Sequence, residues 1–348
     1  MKFKCFWLLI LLFTTPFFGQ YTDQINSNRP GASMGAFAVG KNVIQAETGI
    51  AFRRYVHNGY NQSNFEGRVH FLSLRWGFLA ETIELLYEGS FMTGTLESKV
   101  VTVPTLLKQR GFLQNFIGVK YLLYDPFKKE REINVYSWKA NNGFKIRDLI
   151  PAVSLTVGTN VNPLNNNPFA YRNIFSNLYR PIFYQNIYAP LDQEPFFDLR
   201  GTLATQSHFL GTWVFVTNFN YDRILSDYPE LSYIVTLTHT LNPLWSVYME
   251  QQGRYSSLFK DNLVRLGVAY LFSNNLQLEA TLGSSFKNTP HILLANAGVS
   301  YRLDFHKDFV SGAEALEKEQ KKEERGLKKS FRKNSKGERK RNRKARRN

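Results

Sequence analysis

The residues able to do chemistry are few and far apart. Six histidines, His57, His70, His208, His239, His291 and His306, are spread along the 348 residues without a close pair. A metal-binding helix would set two imidazoles one turn apart, and no His-Glu-x-x-His occurs. No nucleophile elbow is read in the chain. Asp222 and His208 are the acid and the imidazole that would have to meet if a hydrolase site stood at a membrane rim. The single cysteine, Cys5, falls inside an apolar leader, which removes disulfides and thiolate chemistry from the remainder. The expectation is a chain with no catalytic, cofactor-binding or metal-ligating residues.

Charge is the other resource. Glu47, Glu66, Arg68, Glu84, Glu88, Arg200, Glu250, Arg265, Glu279 and Arg302 each stand on the polar side of an alternating segment. Collected in the interior of a closed sheet, they would serve in one of two ways. A ring of charges selects solutes, or paired charges fill a narrow interior, since buried ions persist when compensated.

The elements that must hold these residues are strands. Residues 1–20 have Lys2 and Lys4 ahead of an apolar run to Phe18, the pattern of a signal peptide, with cleavage expected near Gln20. No later run reaches the eighteen apolar residues of a transmembrane helix. Instead, from Asn42 the chain alternates with period two in segments of about a dozen residues bounded by turn residues. Leu276, Leu278, Ala280, Leu282 and Phe286 oppose Gln277, Glu279, Thr281 and Ser285. Twelve strands are read, near 43–56, 64–77, 82–93, 112–124, 150–161, 196–206, 209–221, 231–241, 244–256, 262–272, 275–287 and 292–305. Alternation dilutes apolarity, so a mean hydropathy of -0.32 does not oppose membrane insertion.

The expected fold is therefore all-β: a transmembrane antiparallel up-and-down β-barrel of about 12 strands over 21–306, in the outer membrane. With the first strand running outward, the connections at 78–81, 207–208, 242–243 and 273–274 are short and periplasmic, whereas 94–111 and 162–195 are long outer loops. The segment 125–149 is a long periplasmic insertion. Phe169, Tyr171, Phe175, Tyr179, Phe183, Tyr184 and Tyr188 give the loop 162–195 more apolar surface than a wet loop keeps, so it is expected to pack into the barrel mouth. In the last strand Tyr301 and Phe305 point outward, the terminal aromatic signal read by barrel-assembly machinery.

Several short motifs carry a family likeness: Asn28-Arg29-Pro30-Gly31 with Gln45-Ala46-Glu47-Thr48-Gly49, and Leu74-Arg75-Trp76-Gly77-Phe78 before Ile83-Glu84-Leu85. Trp245 with Glu250, Gly267-Val268-Ala269-Tyr270, Asn275-Leu276-Gln277-Leu278-Glu279 and Ala297-Gly298-Val299-Ser300-Tyr301-Arg302 continue it. In order and spacing they resemble the outer-membrane "transporter" barrels named for a meta-pathway of phenol degradation, across 28–302. The resemblance implies a barrel and channel activity for small or apolar solutes. The Phe-Phe-Gly-Gln leader end and Asn-rich loops resemble Bacteroidota-type secreted proteins.

Two features depart from that family, the insertion 125–149 and the end of the chain. Residues 307–348 hold 17 Lys/Arg against 7 Asp/Glu, a net +10 of the chain's +16, so the excess charge is not a property of the barrel. The segment reads as disordered or partly helical and, behind a signal peptide, periplasmic. Its expected partners are an acidic periplasmic protein or an anionic envelope polymer, and not nucleic acid. The barrel's own partners are outer-membrane lipid and the assembly machinery. The insertion and tail also admit a second function, an accessory barrel docked in a larger envelope assembly.

Overall fold

The computed structural model describes residues 25–28, 31–59, 62–98, 105–127, 136, 146–164, 166–175 and 193–305. The leader 1–20, most of the insertion 125–149, His306, the tail 307–348 and Tyr179, Phe183, Tyr184 and Tyr188 lie outside the described residues. The described residues all belong to one compact unit, Met1–Phe305.

Twelve strands run in order: β1 Val43–Val56, β2 Asn64–Trp76, β3 Ile83–Ser98, β4 Thr105–Tyr124, β5 Ala152–Val161, β6 Phe197–Phe209, β7 Trp213–Asp222, β8 Glu230–Thr240, β9 Trp245–Tyr255, β10 Lys260–Ser273, β11 Leu276–Ser285 and β12 His291–Asp304. Each pairs antiparallel with its sequence neighbour. The sheet closes where β1 meets β12, from Val43 opposite Asp304 to Val56 opposite His291. Closure leaves no unpaired backbone edge in lipid, where each orphan group would cost several kcal/mol.

The outer wall is apolar. Leu278, Leu282, Leu266 and Phe219 stand 42, 69, 58 and 56% exposed, which marks a lipid-facing surface and not a defective core. Aromatics ring both ends of it. Trp76, Trp213 and Trp245 lie at the end of the short turns, and Phe197, Tyr221 and Phe286 at the other. Tyr301 and Phe305 are half exposed on the outside of β12. This is an outer-membrane β-barrel.

Two boundaries differ from the sequence expectation. The short turn expected at 207–208 falls at 210–212, because His208 and Phe209 still pair with Val214 and Trp213. Residues 94–111, expected as a loop, mostly continue β3 and β4 as one ladder, from Glu97 opposite Leu106 down to Met92 opposite Gly111. Lys108-Gln109-Arg110 breaks the apolar pattern and so reads as a loop. The strands persist because Met92 and Leu96 bury completely against the interior.

An occluded lumen as the candidate functional site

The space inside the wall is filled from both ends by the chain itself. From the periplasmic end, residues 25–28 and 31–41 thread into the lumen, where many of their backbone groups are held by the wall. Small residues in Gly-Ala-Ser-Met-Gly-Ala, 31–36, let that backbone come within hydrogen-bonding reach of the wall. A Cβ on Gly31 would sit 2.5 Å from the Glu250 carboxylate. The Glu250 Oε2 accepts from the N–H groups of Ala32 at 2.9 Å and Ser33 at 3.1 Å. Asn218 pairs with both backbone groups of Met34, at 2.6 and 2.7 Å. Gln206 accepts from the Ala36 N–H at 3.0 Å and Glu84 from the Val39 N–H at 2.9 Å.

On the opposite wall a charge ladder completes the grip. Glu84 on β3 binds Arg75 on β2 at 3.0 Å and Lys120 on β4 at 2.8 Å, all with side chains at most 2% exposed. Both cations also donate to the plug: Lys120 to the Phe37 carbonyl at 2.8 Å, Arg75 to those of Asn26 at 2.9 Å and Phe37 at 3.1 Å. Gln45 bridges Asn26 and Glu47. Glu47 also lies 3.9 Å from Arg75, so two buried carboxylates face the two cations, and the plug's carbonyl oxygens take N–H donors that these carboxylates leave over. Buried charges of this kind require such partners, because desolvation costs several kcal/mol per ion.

From the extracellular end, residues 166–175 fold inward, as their aromatics imply. The segment is two-sided. Phe169 is fully buried against Phe65, ring centroids 5.8 Å apart, and Phe175 meets Tyr55 at 6.5 Å. Its other side carries Arg172, which donates to Glu230 at 3.2 Å, Asp222 at 3.0 Å and Gln114 at 2.7 Å. Glu230 receives Arg223 and Arg254 as well, and Arg223 reaches Glu194 at 2.8 Å. Desolvation lowers the Arg172 guanidinium from its ordinary value, against the upward pull of Glu230 and Asp222. Guanidinium groups start so high that it stays charged.

Between the plugs remains a chamber of about 200 Å³. Its lining is mixed: Ala51, Tyr55, Val69 and Leu263 are apolar, Asn218, Asn220 and Gln252 polar, and charged groups such as Arg53, Glu88, Arg200 and Arg254 also face it.

The ten charged residues named from the sequence separate into two groups. Glu47, Glu84, Glu250, Arg265, Glu279 and Arg302 are buried inside, and Glu88 and Arg200 meet there at 2.8 Å. Arg265 pairs with Glu250. Glu66 and Arg68 are corrected: both stand exposed on the outer face. Along β2 the apolar residues change parity, from Phe65, Val69 and Phe71 to Leu72, Leu74 and Trp76. The β2 pairings run without a register shift, so the pleat keeps even positions outside throughout. In the upper half the inner face is apolar because it meets Phe169.

Asp222 and His208 lie at opposite ends of their strands and do not meet. Asp222 binds Arg172, and His208 packs against Phe37 and Phe127. Gly31-Ala32-Ser33-Met34-Gly35 does spell the letters of a nucleophile elbow, which corrects the sequence reading. The segment joins no strand to a helix, and it is the Ser33 N–H that is engaged, by Glu250. Among the described residues no group of three or more His, Cys, Asp or Glu could hold a metal. The residues that sequence reasoning missed are Arg75, Lys120, Gln206 and Asn218. Polar residues on the inner face were legible, but not the segment they hold.

A closed, lipid-girdled sheet whose interior is crossed by its own N-terminal segment and capped by an inward loop is an occluded outer-membrane barrel. The family model described as "Putative MetA-pathway of phenol degradation" matches residues 27–180 and 183–303. The chain belongs to that family. An outer-membrane channel from Pseudomonas putida F1 is similar at 12% identity and a TM-score of 0.48, over 80% of this chain and 100% of its own. The translocator domain of the autotransporter NalP from Neisseria meningitidis is similar at 7% identity and 0.41, over 79% and 90%. The CymD monoaromatic hydrocarbon channel is similar at 8% and 0.36, over 77% and 90%. No curated protein matches the chain.

Proposed function

We propose that the barrel is a non-catalytic channel for small solutes, closed at rest by its two internal plugs. The observation that carries this reading is how the plugs are held. Neither is part of the closed sheet, and both are fixed by hydrogen bonds and ion pairs that a displacement breaks without opening the wall. The chamber between them supports a solute class. At about 200 Å³ it is smaller than the ~300–1,000 Å³ of drug-sized pockets, so it takes one small molecule. Its apolar residues Tyr55, Val69 and Leu263, set among polar and charged ones, suit a compact molecule with an apolar part and one or two polar groups. A hydroxylated ring is such a molecule, and the family's description names phenol degradation.

Single-channel recording of the full-length barrel in planar bilayers tests the reading. Brief, small conductance steps that millimolar phenol interrupts are expected. Bilayers that stay silent, for this chain and for variants with a loosened plug, would overturn it and leave the accessory-barrel role. For the tail 307–348 we propose a periplasmic tether to an acidic protein or an anionic polymer, on the strength of its net +10 charge.

A further inference from the structure

Above the apolar belt the outward face of β1–β4 turns basic. Strand pairing places Arg54, Glu66, Thr95 and Lys108 side by side in one row, and Phe52, Arg68, Thr93 and Arg110 in the next. All four cations are exposed. Glu66 answers one of them, Arg54, at 3.2 Å. Arg68 lies 5.7 Å from the Phe52 ring centroid. Among the described residues Arg68, Lys108 and Arg110 have no ion-pair partner.

These side chains border one half of a groove of about 1610 Å³ on the outside of the barrel. Its other half, on β10–β12, is apolar: Leu266, Leu282, Leu293 and Phe286 are 42 to 81% exposed. The patch sits at the end of the barrel opposite the short turns, hence at the extracellular leaflet. A lipid-facing Arg costs about 2–4 kcal/mol at mid-bilayer and about 0–1 near the interface, so three unpaired cations belong at headgroup depth.

A surface with three free cations beside an apolar trough complements an amphiphile that carries phosphate. Guanidinium groups bind phosphate through two parallel N–H donors, and the ammonium of Lys108 adds a point charge. We propose that this groove binds the phosphorylated headgroup of an outer-leaflet glycolipid, with the phosphate on Arg68, Lys108 and Arg110 and the acyl chains along β10–β12. The site is on the outer wall and stands independently of whether the lumen conducts.

Native mass spectrometry of the full-length barrel in a neutral detergent tests this. The probes are bisphosphorylated lipid A, the same lipid with its phosphates removed, phosphatidylglycerol and inorganic phosphate. The bisphosphorylated lipid is expected to stay bound. The combined variant Arg68→Gln, Lys108→Gln, Arg110→Gln should bind it at least about tenfold more weakly, given the typical weight of each cation at a membrane surface. Heat-modifiable migration in gels confirms that the variant has folded, and Arg68→Lys with Arg110→Lys should lose less. Equal binding of the dephosphorylated lipid, or unchanged affinity in the triple variant, would overturn the proposal. Equal retention of phosphatidylglycerol would overturn the glycolipid assignment, and displacement by millimolar inorganic phosphate would make the patch a free-anion site.

Discussion

Replacing Arg172 by Ala removes a side chain that ties the inward loop to three separate strands. Its contacts are Glu230 on β8, Asp222 on β7 and Gln114 on β4, at 3.2, 3.0 and 2.7 Å. Hydrogen bonds to a charged group each contribute about 1.5–3 kcal/mol. The loss is smaller than their sum. Glu230 keeps Arg223 and Arg254, Asp222 keeps Asn160, and Arg172 is 18% exposed, so water replaces part of the bonding. A net cost near 3 kcal/mol remains for holding the loop in place, which at about 1.4 kcal/mol per tenfold shifts its docked equilibrium about a hundredfold. The wall should be untouched, because Arg172 belongs to no strand and the β1–β12 closure lies across the barrel. In planar bilayers the variant should show open events about a hundred times more often, with the same heat-modifiable migration. Arg172→Lys should fall between, since one ammonium cannot reach all three acceptors. If Arg172→Ala lowers the barrel's unfolding midpoint but leaves the opening frequency of the folded barrel unchanged, the residue braces the wall and the latch reasoning is refuted.

Leu278→Arg, on the lipid face, should destabilise the barrel by about 2–4 kcal/mol, whereas Arg at chamber-lining Asn296 should cost under about 1 kcal/mol; equal shifts in urea unfolding midpoints from vesicles would put the alternation in the wrong register. Thr281 is unsuited to this comparison, because its hydroxyl meets that of Tyr248 in the packed interior. Alanine at both Tyr301 and Phe305 should cut the yield of assembled barrel in outer-membrane fractions and leave chain in the periplasm; a normal yield would remove their role as an assembly signal. Truncation after His306 should leave assembly unchanged and abolish salt-sensitive capture of acidic partners in pull-downs from periplasmic extract. A truncated chain that no longer inserts would assign the tail to biogenesis instead.

The sequence alone determined the number of strands, most of their bounds and the closure. Period-two alternation is local: each Leu or Phe of β11 declares its face through its immediate neighbours, and the lipid outside demands that declaration along the whole wall. The inward turn of the loop after β5 was legible in part for the same reason, because Phe169, Tyr171 and Phe175 could not all remain in water. What only tertiary structure decided was the contents of the lumen. Residues 25–28 and 31–41 have no periodicity, since much of their hold comes from backbone groups, whose partners are as distant in sequence as Glu250 and Asn218. Arg75 and Lys120 read as ordinary inner-face polars until the carbonyl oxygen of Phe37 arrives between them. Glu66 and Arg68 misled for a related reason. Charge marks the inner face only where the inside is polar, and in the upper half of β1–β4 an aromatic plug makes the inside the apolar side.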